Sequence, residues 1–207
     1  MAASVVALVC LGAAPADAAG GSHFLAELNT GFGFPLGYTA DYAPGLAIGG
    51  TLGFGGKFKG NPTRFYLIGQ FNTTGFTAET TYNQKQRTIT RQITDVNGGL
   101  RMLWPIDRHL RVFADVTLGF AQVDSEATSP DLPPNIRVTD VDSDFALFTG
   151  GGVQYRFAYN FSLGAKADFA FIYDEDATDA VAAWTGDGAG GDRTGRLNLY
   201  LTGTLHF

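Results

Sequence analysis

The chain has 207 residues, a formal net charge of -6 at pH 7 and 28 glycines, and only 16% of its residues are charged. Its length suits one domain with a closed core. The negative charge, without a cluster of Lys and Arg, excludes a nucleic-acid-binding protein, because phosphate contacts require such a cluster. An ordinary soluble domain carries about 25% charged residues. Part of this surface is therefore expected to face something other than water.

The chain begins MAASVVALVCLGAAPADA, which contains its only continuous apolar run. This run is too short for a membrane-spanning helix, which needs about 20 apolar residues, and it ends in the small-x-small triplet ADA. The pattern predicts a signal peptide, residues 1–18, removed after Ala18. No Lys or Arg precedes Ser4, which suggests a start codon further upstream, and a lipoprotein cysteine at Cys10 is the alternative reading. The mature chain, residues 19–207, would then lack cysteine, so disulfides and thiolate chemistry are not expected.

From Ser22 onward, apolar residues alternate with polar residues or glycine at a period of two, the pattern of β-strands with one apolar face. The pattern occurs eight times, and no segment indicates a helix or a boundary between domains. The predicted strands span residues 23–34, 45–58, 64–77, 89–103, 110–122, 143–157, 161–173 and 197–207.

The connections between these strands alternate in length. Short links around KGNP, WPIDRH and AYN follow the even-numbered strands. Longer links follow the odd-numbered strands, namely PLGYTADYAP, AETTYNQKQRT, residues 124–142 and residues 174–193. Short turns at one end and long loops at the other predict an all-β fold, an eight-stranded antiparallel up-and-down β-barrel.

The placement of charge predicts which face of this barrel is outside. Charged residues share the parity of the glycines, and in a membrane barrel both would lie in the lumen, where glycines leave room for long side chains. The apolar parity carries no charge in the middle of strands five, seven and eight, where each charge would cost about 2–4 kcal/mol. We therefore expect a transmembrane barrel rather than a soluble sandwich. The predicted lumen charge network comprises Glu27, Arg101, Arg111, Asp115, Arg156, Lys166, Asp168 and Arg196.

The last strand ends LYLTGTLHF, with alternating apolar residues and a final Phe. With the signal peptide and the eight amphipathic strands, it resembles the OmpA-like small outer-membrane β-barrel proteins of Gram-negative bacteria, which include porin-like and opacity-type barrels. The stretch FADVTLGFA is similar to a strand common in such barrels. The resemblance implies an outer-membrane location, both termini in the periplasm, contact with lipid and lipopolysaccharide, and an assembly signal read by the outer-membrane assembly machinery. The matching positions are Leu199, Leu201, Leu205 and Phe207, while Gly203 departs from the apolar pattern.

Little in the sequence points to catalysis. Some barrels resembling this one are outer-leaflet lipid A deacylases or acyltransferases that use His and Ser with an acid. Here His23, His109 and His206 all fall at the predicted periplasmic end, and none has a Ser two residues later. We expect no catalytic residue, cofactor or metal. The acidic loops, including DEDATD, lack the ligand spacing of an EF-hand and are expected to be solvated rather than to bind Ca²⁺ or Mg²⁺.

The sequence therefore predicts a monomeric, non-enzymatic outer-membrane protein with a structural or surface-interaction role. A narrow channel for ions or small hydrophobic solutes is the first alternative, and an outer-leaflet lipid-modifying enzyme is the second. Eight strands leave little free bore, which favours paired charges that plug the lumen over an open path.

Overall fold

The computed structural model describes residues 23–36, 42–57, 60–82, 85–128, 138–173 and 194–207, and the predicted signal peptide lies outside them. In chain order the strands are β1 (His23–Leu36), β2 (Gly45–Lys57), β3 (Arg64–Tyr82), β4 (Lys85–Pro105), β5 (Leu110–Thr128), β6 (Val138–Ala158), β7 (Phe161–Tyr173) and β8 (Thr194–His206). Each strand pairs antiparallel with the next, and β8 pairs with β1 to close the barrel. The predicted eight-stranded up-and-down barrel is confirmed. Within the described ranges there is no helix long and apolar enough to cross a membrane.

The strands tilt strongly around the barrel axis. The stagger can be read from the strand register. Starting at Ala26 in β1 and moving from each residue to its partner on the next strand, one returns to β1 at Leu36, ten residues further along the strand. This stagger accompanies a strand tilt of about 35–45°. In a barrel of eight strands, the interior is then just wide enough for side chains to fill it.

Side chains alternate between the lumen and the outer surface, as β5 illustrates. Phe113 and Asp115 point inward and are buried, whereas Val116, Leu118 and Phe120 point outward and are 57%, 52% and 67% exposed. Apolar side chains left so exposed in a row require an apolar solvent. The outer surface of this strand is thus suited to lipid.

The ends of the described chain and the short turns lie at the same end of the barrel, here named the short-turn end. Phe24 and Phe207 exchange backbone hydrogen bonds of 3.2 and 2.9 Å there. In the turn between β4 and β5, the Asp107 carboxylate accepts hydrogen bonds from the backbone N–H groups of Leu110 and His109 at 2.7 and 2.6 Å. These hydrogen bonds lower the pKa of Asp107 below its ordinary value.

Four strands, β3 to β6, are each at least five residues longer than their alternation predicted. β3 continues to Tyr82 and β4 begins at Lys85, so the predicted long loop AETTYNQKQRT is mostly paired strand. Likewise β5 reaches Thr128 and β6 begins at Val138, inside the loop predicted at residues 124–142. Both faces of these extensions carry many polar residues, which removes the period-two apolar signal without removing the backbone pairing. The loop predicted at residues 174–193 lies outside the described residues.

Candidate functional site

The middle of the lumen contains a layer of paired charges, named here the charge belt. Arg101 lies at its centre, fully buried, between Glu27 of β1 and Asp115 of β5. Its guanidinium donates hydrogen bonds of 2.9 and 3.0 Å to Glu27 and of 2.7 and 2.8 Å to Asp115. One cation therefore joins two carboxylates from strands on different sides of the lumen. The belt consists of Glu27, Asp95, Arg101, Asp115, Lys166, Asp168 and Arg196.

Lys166 extends the belt to β7. Its Nζ lies 3.4 Å from Asp115 Oδ2 and 3.8 Å from Asp168 Oδ1. Gly150 of β6 pairs in register with Asp168, and a Cβ there would lie 2.8 Å from Asp168 Oδ1 and 3.2 Å from Lys166 Cε. The missing side chain of Gly150 thus makes the space that this ion pair occupies.

The belt also contains one carboxylate, Asp95, that the predicted charge network did not include. Arg196 of β8 forms an ion pair with Asp95 of β4. Asp95 also accepts hydrogen bonds from Asn72 and Asn97 at 2.9 and 2.7 Å. Asp95 shares the polar parity of its strand, but nothing in the sequence indicates a partner on β8. Tilt and stagger decide that contact.

Apolar layers border the belt on both sides. Along β4 the inward side chains run from Ile93 through Asp95 and Arg101 to Leu103, that is, from apolar through charged to apolar. On the long-loop side, the layer is formed by Phe76, Ile93, Ala121, Ala146, Phe148, Ala170 and Ile172. On the short-turn side, it is formed by Leu25, Tyr66, Ile68, Leu103 and Phe113. The charges are consequently screened from water at both ends, which strengthens their mutual attraction.

Two residues of the predicted charge network lie apart from the belt. Arg111 and Arg156 are near the short-turn ends of β5 and β6, and among the described residues neither forms an ion pair with a carboxylate. Arg156 instead donates a 2.9 Å hydrogen bond to the carbonyl oxygen of Tyr159. The other six predicted residues, Glu27, Arg101, Asp115, Lys166, Asp168 and Arg196, are belt members.

The three histidines also lie at or near the short-turn end. The structure places Ser162 Oγ 3.0 Å from His206 Nε2, a contact between β7 and β8 that sequence spacing missed. Ser162 is fully buried, and His206 Nδ1 has no hydrogen-bond partner among the described residues. This pair therefore lacks the acid that orients His in a Ser–His–acid triad.

Three residues of the predicted assembly signal, Leu199, Leu201 and Leu205, lie on the outer face of β8, and Phe207 directly follows the strand. Leu199 and Leu201 are exposed there, Leu201 to 71%. The ring of Phe207 lies 6.0 Å from that of Phe24, measured between centroids. The end of the chain is thus fastened to β1 by backbone pairing and by an aromatic contact.

Strands β3 to β6 continue past the apolar band on the long-loop side. The outward residues change from Phe71, Val96, Phe120 and Phe145, paired in register, to Thr73, Thr94, Gln122 and Ser143, also paired in register. Beyond this change, residues 73–82, 85–94, 122–128 and 138–143 form a four-stranded sheet, named here the projecting wall. Its longest strands extend roughly 30 Å beyond the apolar band, measured along the strand.

The outer face of the projecting wall is polar and its strands are joined by side chains as well as by backbone. Thr73 Oγ1 lies 3.2 Å from Thr94 Oγ1, and Gln92 donates a 3.2 Å hydrogen bond to Thr73. On the inner face Ile89 and Ala127 pack together, with Tyr42 against them. The wall is an ordered, hydrogen-bonded sheet with a small apolar core of its own.

An apolar outer band around a lumen filled by paired charges defines a membrane-spanning β-barrel. The chain belongs to the outer membrane protein beta-barrel domain family, whose model matches residues 3–197. The protein is located in the outer membrane. In such barrels the short turns face the periplasm, so the short-turn end is the periplasmic end and the projecting wall stands on the outside of the cell.

Several solved structures have a similar fold. The Yersinia pestis attachment invasion locus protein Ail is 14% identical, with 91% of this chain and 99% of that chain covered and a TM-score of 0.49. Neisserial surface protein A is 12% identical over 90% of this chain and 97% of that one, with a TM-score of 0.45. The N-terminal barrel of Pseudomonas aeruginosa OprF is 13% identical over 88% and 97%, with a TM-score of 0.41. No curated protein sequence matches the chain.

Proposed function

We propose that this outer-membrane barrel has a structural and surface-interaction role and is not an enzyme. The projecting wall is the observation that carries this proposal, because it presents an ordered polar sheet well beyond the lipid-facing band. A sheet that is already ordered loses little conformational entropy when a partner binds to it. The barrel then serves as the anchor, and the wall as the contact surface.

The filled lumen supports a role at the surface rather than in transport. Arg101 ties three strands together across the bore through Glu27 and Asp115, and an apolar layer lies on each side of this contact. A solute would have to break buried ion pairs and enter two apolar layers. Both steps are costly.

One observation favours a narrow channel as the second candidate. Several belt atoms, among them Lys166 Nζ and Asp168 Oδ2, have no hydrogen-bond partner among the described residues. Buried polar atoms of this kind are usually satisfied by internal water. A chain of such water is the feature on which conduction would depend.

The non-enzymatic part of the proposal is supported by the position of the histidines. His206 contacts buried Ser162 at the end of the barrel opposite the outer leaflet. Mass spectrometry of lipid A from cells with and without the protein tests this part. Unchanged acylation is expected, and an acylation change that disappears in His206→Ala would contradict it.

We further propose that the barrel works as a monomer surrounded by outer-membrane lipid and lipopolysaccharide, because a closed barrel leaves no free strand edge for pairing. The assembly machinery of the outer membrane is proposed to read the last strand through Leu199, Leu201, Leu205 and Phe207. Deletion of Phe207 is expected to reduce the amount of folded protein in cells while refolding in detergent is retained. Equal amounts of folded protein in cells would contradict this reading.

Shortening the projecting wall tests the main proposal. Thr77 and Thr90 are paired in register, so an Asn-Gly turn that replaces residues 78–89 would connect them in a two-residue hairpin. Outer-membrane vesicles carrying the intact protein are expected to adhere to at least one of a panel of immobilised glycans, proteins and cells above the level of vesicles that lack it. Vesicles with the shortened wall should fall to that background.

The heat-dependent gel shift of the shortened variant is the control for an intact barrel. Two results would contradict the proposal: adhesion of the intact protein no higher than background on every surface, or full adhesion by the shortened variant.

A further inference from the structure

The periplasmic mouth of the lumen is lined by cationic side chains from four strands. They are the last inward residue of β2, the first inward residue of β3, the second residue of β5 and the residue two positions before the end of β6. We name the set Lys57, Arg64, Arg111 and Arg156 the cationic mouth. Each shares the parity of residues buried in the lumen on its own strand, such as Tyr66 and Phe113.

Several of these cations lie close enough to repel one another. Lys57 and Arg64 are directly opposite in the register between β2 and β3, a position where like charges are destabilising. Arg64 on β3 and Arg156 on β6, the strand adjacent to β5, also repel Arg111. The mouth thus concentrates positive charge at a cost to the folded state.

No described carboxylate compensates this charge by contact. Arg111 is only 6% exposed, and among the described residues it has neither an ion pair nor a hydrogen bond. Glu27, on the other side of the apolar layer, binds Arg101. Asp107, in a periplasmic turn, accepts hydrogen bonds from backbone N–H groups. A cation with little exposed surface and no counter-charge in contact is available to an anion that enters from outside.

We infer that the cationic mouth binds a phosphate group that enters from the periplasmic side. Guanidinium groups pair strongly with phosphate through two parallel hydrogen bonds. Cationic side chains on four different strands suit a tetrahedral anion, which accepts hydrogen bonds in several directions, better than a planar carboxylate, which accepts them in one plane. The phosphate group belongs either to a soluble periplasmic compound or to the headgroup of an inner-leaflet phospholipid.

Calorimetry on the full chain, folded in a phosphate-free maltoside detergent, tests this inference. Inorganic pyrophosphate is the soluble probe, and short-chain phosphatidylglycerol is the lipid probe. Saturable binding of at least one probe is expected, and which one binds identifies the source of the phosphate group. Arg111→Gln should weaken the binding at least about tenfold, the usual effect of losing one charge-assisted hydrogen bond.

Arg108→Gln is the matched control, because it removes the same charge from the exposed turn at the same end of the barrel. The affinity of the Arg108→Gln variant for the probe should equal that of the unchanged protein. If Arg111→Gln fails the heat-dependent gel shift that reports a folded barrel, Arg64→Gln replaces it with the same expected loss. The inference is overturned if neither probe binds saturably, or if the folded mouth variant binds as tightly as Arg108→Gln.

Discussion

Arg101→Met is the substitution whose effect can be worked out most fully from the structure. Arg101 is fully buried and donates four hydrogen bonds of 2.7–3.0 Å to the carboxylates of Glu27 and Asp115. Methionine fills much of the same space but leaves both carboxylates without their shared cation. Removing one partner of a buried ion pair costs about 3–5 kcal/mol.

The remaining contacts set the size of the expected loss. Glu27 keeps hydrogen bonds from Gln154 and Thr204 at 3.1 and 3.0 Å. Asp115 keeps the 3.4 Å contact with Lys166. These partners weaken the penalty without abolishing it, so a loss of about 3 kcal/mol, the lower end of that range, is expected.

Urea unfolding in lipid vesicles, followed by Trp fluorescence, measures this loss. The double variant Glu27→Gln/Arg101→Met should recover part of it, because one uncompensated charge has been removed. Arg108→Met, in an exposed turn, is the control and should stay within about 0.5 kcal/mol of the unchanged protein. The reasoning is refuted if Arg101→Met costs less than about 1 kcal/mol, or if the double variant is no more stable than the single one.

Three further predictions test other parts of the account. Val116→Arg, on the lipid-facing side of β5, should lower the free energy of unfolding by about 2–4 kcal/mol in vesicles, whereas Thr90→Arg on the projecting wall should change it little; equal losses would place the apolar band wrongly. Gly150→Ala should cost about 1–3 kcal/mol in the same assay by crowding the Lys166–Asp168 pair, whereas Gly69→Ala should be near neutral because a Cβ there meets nothing within 4 Å; the reverse order would refute the packing argument. Asp107→Asn should destabilise the protein at pH 7 and lose this effect in acid, because a lowered folded-state pKa gives stability that is present above the ordinary pKa of 3.8 and disappears as the pH falls through the folded value; an effect that persists at pH 2 would contradict it.

The strand order followed from the sequence because one physical signal repeats along the chain. Lipid selects apolar residues at every second position, as at Val116, Leu118 and Phe120, and this alternation shows where each membrane-crossing strand runs. Where β3 and β4 leave the membrane, the outward side becomes polar at Thr73 and Thr94, and the alternation no longer marks the strand. The projecting wall was therefore missed although its backbone pairing continues.

The sequence predicted which charged residues point into the lumen better than it predicted which of them pair with one another. Arg101 and Glu27 are 74 positions apart, and Arg196 and Asp95 are 101 apart. Both contacts cross the lumen and depend on the tilt and stagger of the closed barrel. The parity of a residue predicts that its side chain points into the lumen, but it does not predict how far along the barrel axis the side chain lies. For this reason the sequence did not show that Arg111 and Arg156 lie apart from the belt.

The measurement that tests the account most directly is the ionic conductance of the purified, folded protein in a planar lipid bilayer. The charge belt and its two apolar layers predict a closed lumen, with no steady current at moderate voltage once the gel shift shows a folded barrel and co-flotation with lipid shows insertion. A steady, reproducible single-channel current would contradict the closed lumen and would make the narrow channel the better description of this protein.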